Sequence, residues 1–215
     1  MVIAHHCYVS ASLTLRYSLR GEIDVTRHRL VLAITFVFGI AMIAASPEEP
    51  SEKPQYNKGG ELLRPENYRE WIFLSSGLGM NYSPAPGSHD MFTNVFVPQW
   101  VYKEFLKSGQ WPDQTTFVVE ERGAQTKGSI NKHGNFQTTE LMGIGVEVKD
   151  SNLPDKWAYF NFDENKSAAA NPKGACFSCH EKNAAVEHSF VQFYPTLKPV
   201  AKKFGIYRES AEEVK

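Results

Sequence analysis

The sequence predicts an α+β domain, in which short helices pack on an antiparallel β-sheet and a C-terminal helix carries a cysteine-containing motif. Several runs alternate between apolar and polar positions or are rich in β-branched and aromatic residues, as strands are. The segments with helical spacing are short, which argues against a helix bundle. With 215 residues, 42% of them hydrophobic and 13% aromatic, the chain is long enough for one domain with a buried core.

The N-terminal residues are predicted to lie outside this domain. Basic residues at 27–29 precede an apolar run at 30–45, and the small residues at 44–46 resemble a signal-peptidase site. The apolar run is shorter than the about 20 residues that a membrane helix needs. We therefore interpret residues 1–46 as upstream residues and a signal peptide that directs export to the periplasm, with an uncleaved N-terminal anchor as the alternative.

The domain itself is expected to begin after a short linker. The polar residues 47–63 predict a flexible lead-in, which leaves residues 64–215 for the domain. Its first element is a short helix from Pro65 to Trp71, because a proline is favourable in the first turn of a helix. Glycine, proline and serine then predict a loop at 75–88.

A strand and a helix follow this loop. β-branched and aromatic residues predict a strand at 92–97 that ends at Pro98. The same proline begins an amphipathic helix, and Gly109 lies just past its end. Three apolar residues of this helix are expected to face the core: Val101, Phe105 and Leu106.

The second half of the domain is predicted to contain three strands, at 115–121, 141–149 and 157–162. A long polar turn at 123–135 separates the first two strands, and a loop at 163–172 follows the third. In the strand at 141–149 the side chains alternate, so one face carries Met142, Ile144, Val146 and Val148 and the other carries Leu141, Gly143, Gly145 and Glu147. Two glycines on one face indicate that a flat group or another backbone approaches closely, and a porphyrin and a packed helix both satisfy this.

The motif is Cys176-Phe177-Ser178-Cys179-His180, whose Cys-x-x-Cys-His spacing is typical of covalent c-type haem attachment. On one helical turn both thiols reach the porphyrin edge, and the next imidazole points at the iron. This predicts thioether bonds at Cys176 and Cys179 and an iron ligand at His180. A zinc site would need a second ligand pair, which the chain lacks, and a redox dithiol would need a βαβ context and no histidine.

The number of cysteines and the net charge exclude a disulfide in the mature chain and a nucleic-acid-binding function. Cys7 lies upstream of the predicted cleavage site, so the mature chain keeps only the two motif cysteines and has no spare thiol for a disulfide. Covalent haem attachment takes place in an oxidising compartment, and the predicted signal peptide would deliver the chain to such a compartment. The formal charge of −1 and the absence of a Lys/Arg stripe exclude a nucleic-acid-binding surface.

Other side chains are candidates for a sixth iron ligand, which would make the protein an electron carrier. Met142 shares a core face and is expected to pack there, whereas Met80 and Met91 flank a loop and remain open as ligands. Three further histidines are expected not to bind the iron. His89 and His133 lie in polar loops, and His188 is expected on the same helix as His180, about two turns further on.

Several blocks, in this order, resemble the cytochrome P460 family over about residues 64–197. The blocks are Tyr68-Arg69-Glu70-Trp71, Asn94-Val95-Phe96-Val97 with Pro98 and Trp100, Gly145 to Asp150 with Trp157 to Phe160, and the haem motif with Phe190 to Pro195. The family contains enzymes that oxidise hydroxylamine and the beta-type cytochromes c′, which bind nitric oxide at a five-coordinate haem. The resemblance implies a periplasmic homodimer built on an antiparallel sheet, with one covalently attached haem c.

The two branches of the family differ in the distal pocket. The P460 enzymes carry a lysine bonded to the porphyrin, on the strand that 115–121 resembles. This chain has Val119 at the expected position and no lysine between Lys107 and Lys127. A phenylalanine that often covers the open iron face would correspond to Phe92. The resemblance therefore implies an apolar pocket without the cross-link, closer to the beta-type cytochromes c′, which favours uncharged diatomic ligands over anions.

Oxidation of hydroxylamine also needs a base near the iron. Glu120, Glu140 and Glu147 are candidates from their positions on strands, although carboxylates usually face solvent. The sequence leaves three functions open and does not decide whether the protein is an enzyme. These functions are hydroxylamine oxidation with electrons passed to another cytochrome, nitric oxide binding without turnover, and electron transfer.

Overall fold

A five-stranded antiparallel sheet forms the centre of the fold. The computed structural model describes residues 52–80, 90–163, 165–174 and 176–213, and the predicted signal peptide lies outside these ranges. The strands are β1 (Leu62–Leu63), β2 (Ile72–Leu78), β3 (Met91–Val97), β4 (Thr115–Gln125), β5 (Phe136–Lys149), β6 (Trp157–Phe162) and β7 (Ser167–Ala168). The helices are α1 (Gln99–Ser108), α2 (Cys176–Asn183) and α3 (Lys198–Lys203), with single 3₁₀ turns at Tyr68–Glu70, Val191–Phe193 and Glu209–Glu212.

The sheet follows chain order, β2-β3-β4-β5-β6, and β1 pairs with β7 in a separate two-stranded ribbon. The predicted mixed α+β class is confirmed. The strands predicted at 92–97, 115–121, 141–149 and 157–162 are all present, as is the helix that ends before Gly109. Gly109 adopts φ of 71°, the left-handed conformation that glycine allows at a helix C-terminus.

Three boundaries differ from the predictions. The short helix predicted at 65–71 is only one 3₁₀ turn. Residues 75–78 form the end of β2 instead of a loop. Ser75, Ser76 and Gly77 are weak strand formers, and they are extended here because they pair with β3. The polar turn is also shorter than 123–135, since β4 continues to Gln125 and β5 begins at Phe136.

The sheet separates two hydrophobic clusters, because side chains alternate between its faces. Val95 and Phe117 join α1, α2 and the C-terminal segment in one cluster. Val118 and Val146 join the residues near β1 in the other. Val101 and Phe105 are fully buried as predicted, whereas Leu106 is 41% exposed and Met142 is 45% exposed, so these two do not pack in a core. Within the described part of the chain, no helix is long and apolar enough to cross a membrane.

Candidate functional site

Helix α2 presents the Cys-x-x-Cys-His residues on one turn. Phe177 is buried and its ring contacts Tyr159 of β6 edge-on at 6.4 Å, which fixes the helix against the sheet. Cys176 and Cys179 are partly exposed and free of disulfide bonds. Asn171 Nδ2 lies 3.6 Å from Cys176 Sγ and Asn183 Nδ2 lies 3.5 Å from Cys179 Sγ. Both thiols are therefore held at the surface of the helix and available for covalent attachment.

The imidazole of His180 has a defined tautomer. Its Nδ1 lies 2.7 Å from the backbone carbonyl oxygen of His188. A carbonyl oxygen only accepts hydrogen bonds, so Nδ1 carries a proton, and in the neutral ring Nε2 has the lone pair that can bind a metal. Nε2 is turned toward β5, 3.6 Å from Glu147 Oε1. A histidine with this arrangement is prepared to bind a metal through Nε2.

His188 is not on the same helix as His180, contrary to the prediction. Helix α2 ends at Asn183, and a turn closed between Val186 and Ser189 brings the His188 backbone behind the His180 ring. The His188 side chain stacks on Trp157, with ring centroids 5.5 Å apart, and its Nδ1 lies 3.2 Å from the Tyr159 hydroxyl. Burial lowers the pKa of this imidazole. His188 thus supports His180 from behind through its carbonyl group.

A cavity of about 300 Å³ adjoins His180, between the sheet and the C-terminal segment. Strands β2 to β5 form one wall, and α2 with the 3₁₀ turn that follows it forms the other. The apolar and aromatic lining side chains are Met80, Met91, Val95, Val119, Phe190, Phe193 and Tyr194. The volume lies at the lower end of the range typical of ligand sites.

Val119 and Glu147 line this cavity, but the other predicted distal residues do not. Met91, Thr93 and Val95 are the β3 residues in its wall, so the alternation of side chains puts Phe92 on the opposite face of the sheet. Glu120 also lies on that opposite face, where it contacts Tyr68. Glu140 is exposed, close to Gly123 at the far end of the sheet. This placement argues against Phe92, Glu120 and Glu140 as pocket groups.

Glu121 lines the cavity, although the sequence analysis did not single it out. It lies two residues after Val119 on β4 and therefore shares its face. The strand period alone could have identified it. Met80 and Met91 also line the cavity, so two of the three methionine candidates lie near His180. Lys127 lies in the exposed turn between β4 and β5, and among the described residues no lysine lines the cavity.

The carboxylate of Glu147 is buried without full hydrogen bonding. The residue is 8% exposed, and its Oε2 has no hydrogen-bond partner. Burial raises the pKa of this carboxyl group, and the neighbouring His180 partly opposes the effect. Since an uncompensated buried carboxylate is costly, this residue is a candidate for chemistry rather than for stability.

Glu120, on the other face, is fully paired. It accepts hydrogen bonds from the Tyr68 hydroxyl and from the guanidinium groups of Arg69 and Arg122. Burial opposes ionisation, but the hydrogen bonds from Arg122 and Tyr68 and the charge of Arg69 outweigh it and hold the pKa of Glu120 at about 2. This network is a structural ion pair between the first 3₁₀ turn and β4.

The residues of α2 fit a c-type haem. Two free thiols lie one helical turn apart, and the next residue offers a free Nε2 lone pair beside a cavity. Within the described ranges no three or more His, Cys, Asp or Glu side chains are grouped as metal ligands, as a closed zinc site would require. An antiparallel sheet with a Cys-x-x-Cys-His helix packed on it defines a haem-carrying cytochrome outside the helical classes.

Comparison of the sequence with models of known protein families identifies the family of this chain. The model of the cytochrome P460 family matches residues 65–191, more than half of the chain, so the chain belongs to this family. The match extends from the first 3₁₀ turn to the residues behind His180. No curated protein matches the chain. Cytochromes of this family carry haem, and the helical Cys176 and Cys179 pair is consistent with covalent attachment of haem c.

Proposed function

We propose that the protein is an exported mono-haem c-type cytochrome that takes a small nitrogen species, hydroxylamine or nitric oxide, at an open iron site. One haem c is attached through Cys176 and Cys179, with His180 as the proximal ligand. The observation that carries the proposal is the His180 imidazole, whose Nδ1 donates to a carbonyl and whose Nε2 is turned toward Glu147 in the wall of the cavity that both residues line. The haem would supply a redox-active iron to this site.

The charges around the cavity favour ligands that are not anions. Apart from His180, the ionisable acid or base side chains in its described lining are Glu121 and Glu147, together with the phenol of Tyr194. Two acidic side chains and a partly apolar lining disfavour anions such as nitrite or azide and admit neutral molecules. Hydroxylamine and nitric oxide are both small and uncharged at neutral pH.

Oxidation of hydroxylamine to nitric oxide removes equal numbers of protons and electrons. We assign proton acceptance to Glu147, because its unpartnered Oε2 is buried in the cavity wall and its Oε1 lies beside His180. The electrons leave to another cytochrome. We expect Glu147→Gln in the haem-loaded protein to slow hydroxylamine oxidation by about 100-fold or more, measured as cytochrome reduction. The matched control, Glu140→Gln, changes an exposed carboxylate on the same strand and is expected to leave the rate unchanged.

Nitric oxide binding without turnover is the second candidate function. It is supported by Val119, which lines the cavity where the family's enzymes are expected to have a lysine, and by a described lining without lysine. An uncross-linked haem with an open apolar side binds uncharged diatomic ligands. In that case Glu147→Gln would leave nitric oxide affinity unchanged within about twofold, and the wild-type protein would not oxidise hydroxylamine.

Electron transfer is the third candidate, and it has one observation in its favour. Met80 and Met91 line the same cavity as His180, and a thioether sulfur is a common sixth ligand in electron-carrying cytochromes. This function requires a six-coordinate, low-spin iron. Replacement of the ligating methionine by alanine would then open the iron to carbon monoxide.

The cellular setting is also proposed. Residues 1–46, with the basic and apolar segments of a signal peptide, support export to the periplasm, with the uncleaved N-terminal anchor as the alternative. The family resemblance supports a homodimer. Size-exclusion chromatography with light scattering of the mature, haem-loaded protein tests the homodimer directly, since a monomer at micromolar concentration would contradict it.

Absorption spectra of the haem-loaded protein distinguish the three functions. Nitric oxide is added to the ferrous form and hydroxylamine to the ferric form. A five-coordinate, high-spin haem c that binds nitric oxide supports the open site. Reduction of the ferric haem by hydroxylamine then indicates an enzyme, and its absence indicates a nitric oxide-binding protein. A Soret band shifted far to the red would reveal a cross-linked porphyrin and contradict the interpretation of Val119. A six-coordinate, low-spin spectrum that ignores both ligands would contradict the proposal and leave electron transfer.

A further inference from the structure

The turn after α2 holds the carbonyl group on which the orientation of His180 depends. Ser189 N–H donates to the Val186 carbonyl at 2.8 Å, and Val186 N–H donates to the Ser189 carbonyl at 3.4 Å. Between them Glu187 has φ of 47°, a left-handed conformation that is sterically unfavourable for a residue with a Cβ. Because the turn is locally unfavourable, contacts elsewhere must hold it in place.

Two buried side chains provide contacts of this kind, beside those that His188 makes with Trp157 and Tyr159. Trp111 Nε1–H donates to Ser189 Oγ at 2.7 Å, and the Ser189 hydroxyl donates to the Val186 carbonyl at 2.9 Å. Ser189 is 0% exposed and Trp111 is 2% exposed. This hydroxyl therefore connects the turn to the core rather than to solvent.

Trp111 is itself held rigidly by the residues around it. Its indole stacks on Phe105 of α1, with ring centroids 3.9 Å apart, and meets Phe117 of β4 edge-on at 4.8 Å. Buried aromatic side chains in such contacts have little rotamer freedom. A continuous chain of contacts therefore runs from the sheet and α1, through Trp111 and Ser189, to the carbonyl behind His180.

We propose that Ser189 and Trp111 are positioning residues for the iron ligand. They hold the His188 carbonyl 2.7 Å from His180 Nδ1, and through that hydrogen bond they set how strongly the imidazole donates electrons to the iron. A hydrogen bond from Nδ1–H to a carbonyl raises the basicity of a ligating imidazole and thereby stabilises the ferric state. The inference rests on the proposed function, because it requires His180 to bind the haem iron.

Two variants of the haem-loaded protein test the proposal. Ser189→Ala removes the hydroxyl, and Trp111→Phe removes its donor but keeps an aromatic ring in the stack. The readouts are the iron–histidine stretching frequency of the ferrous form, by resonance Raman spectroscopy, and the reduction potential. We expect both variants to lower the stretching frequency. We also expect the equilibrium constant that favours ferric over ferrous iron to fall by up to about tenfold, which raises the reduction potential by up to about 59 mV for a one-electron couple.

Ser151→Ala is the matched control. The Ser151 hydroxyl donates to Asp113 Oδ2 at 2.9 Å, at an exposed site, so its loss should change neither readout. Because Trp111→Phe keeps an aromatic ring in the stack, it keeps the proposal testable if Ser189→Ala folds poorly.

The outcomes separate this inference from the proposed function. Wild-type frequency and potential in both variants, with haem attached, would overturn the positioning role alone. A wild-type protein with covalent haem but no iron–histidine mode in its five-coordinate ferrous form would overturn His180 ligation and the positioning role together. A shift in both variants but not in Ser151→Ala supports the positioning role.

Discussion

Glu120 and Glu147 are both buried carboxylates in one sheet, but they face opposite sides of it and have different surroundings. Glu120 is met by one tyrosine and two arginines. Glu147 has one oxygen without a partner and lies beside a cavity and a histidine. A folded protein tolerates a buried carboxylate when it is paired, and an unpaired one indicates chemistry. We conclude that one face of this sheet serves stability and the other holds the candidate haem site.

The largest expected effect concerns the haem face. The double substitution Cys176→Ala and Cys179→Ala should abolish covalent haem attachment completely, because both thioether bonds are lost. Haem staining after denaturing electrophoresis and the intact mass measure it. Ser178→Ala, between the two cysteines on the same helix, is the control and should retain the haem. Covalent haem in the double variant would mean that another group holds it, and the assignment of the two faces would fail.

The second effect compares the two carboxylates directly. Glu120→Gln leaves two arginines without their anion, so the free energy of unfolding should fall by about 2–3 kcal/mol. Glu147→Gln removes a buried acidic group that lacks full hydrogen bonding, so stability should be unchanged or slightly raised. Urea denaturation of the two variants beside wild type measures both. Equal losses would mean that Glu147 is as well paired as Glu120.

The pH dependence of protein stability tests the ion pairs of Glu120 separately from Glu147. The pKa of Glu120 is lowered from 4.5 to about 2, so its stabilising contribution is fully present above pH 4.5 and is lost as the pH falls toward 2. The stability difference between wild type and Glu120→Gln should therefore shrink over this interval. Denaturant titrations at several pH values test it. A difference that stays constant down to pH 2 would show that ionisation of Glu120 does not stabilise the fold.

Much of the fold was predictable because strand periodicity is local. The alternation at 141–149 identified β5, and two cysteines with an adjacent histidine identified the site. The end of β2 was not predictable, since Ser75, Ser76 and Gly77 become a strand only by pairing with β3. The turn after α2 also depends on long-range contacts, because the buried Trp111 and Ser189 hold it.

The residues predicted for the distal pocket show that the sequence did not reveal which face of a strand lines the cavity. A shift of one residue in a strand transfers a side chain to the opposite face. Val119 lines the cavity, whereas Phe92 does not, although its neighbours Met91 and Thr93 do. Glu120 and Glu121 differ in the same way. Sequence patterns identified β3, β4, β5 and β6, but choosing which of two adjacent residues faces the cavity required the paired structure.

The most direct test of the account is carbon monoxide binding to the ferrous, haem-loaded protein after Val119→Phe. If the cavity beside His180 is the open side of the iron, the larger side chain fills it, and the association rate constant should fall by about tenfold. Phe92→Trp enlarges a side chain on the opposite face and should leave the rate constant within about twofold of wild type. An unchanged rate in Val119→Phe, with carbon monoxide still bound, would contradict the assignment of this cavity as the ligand site.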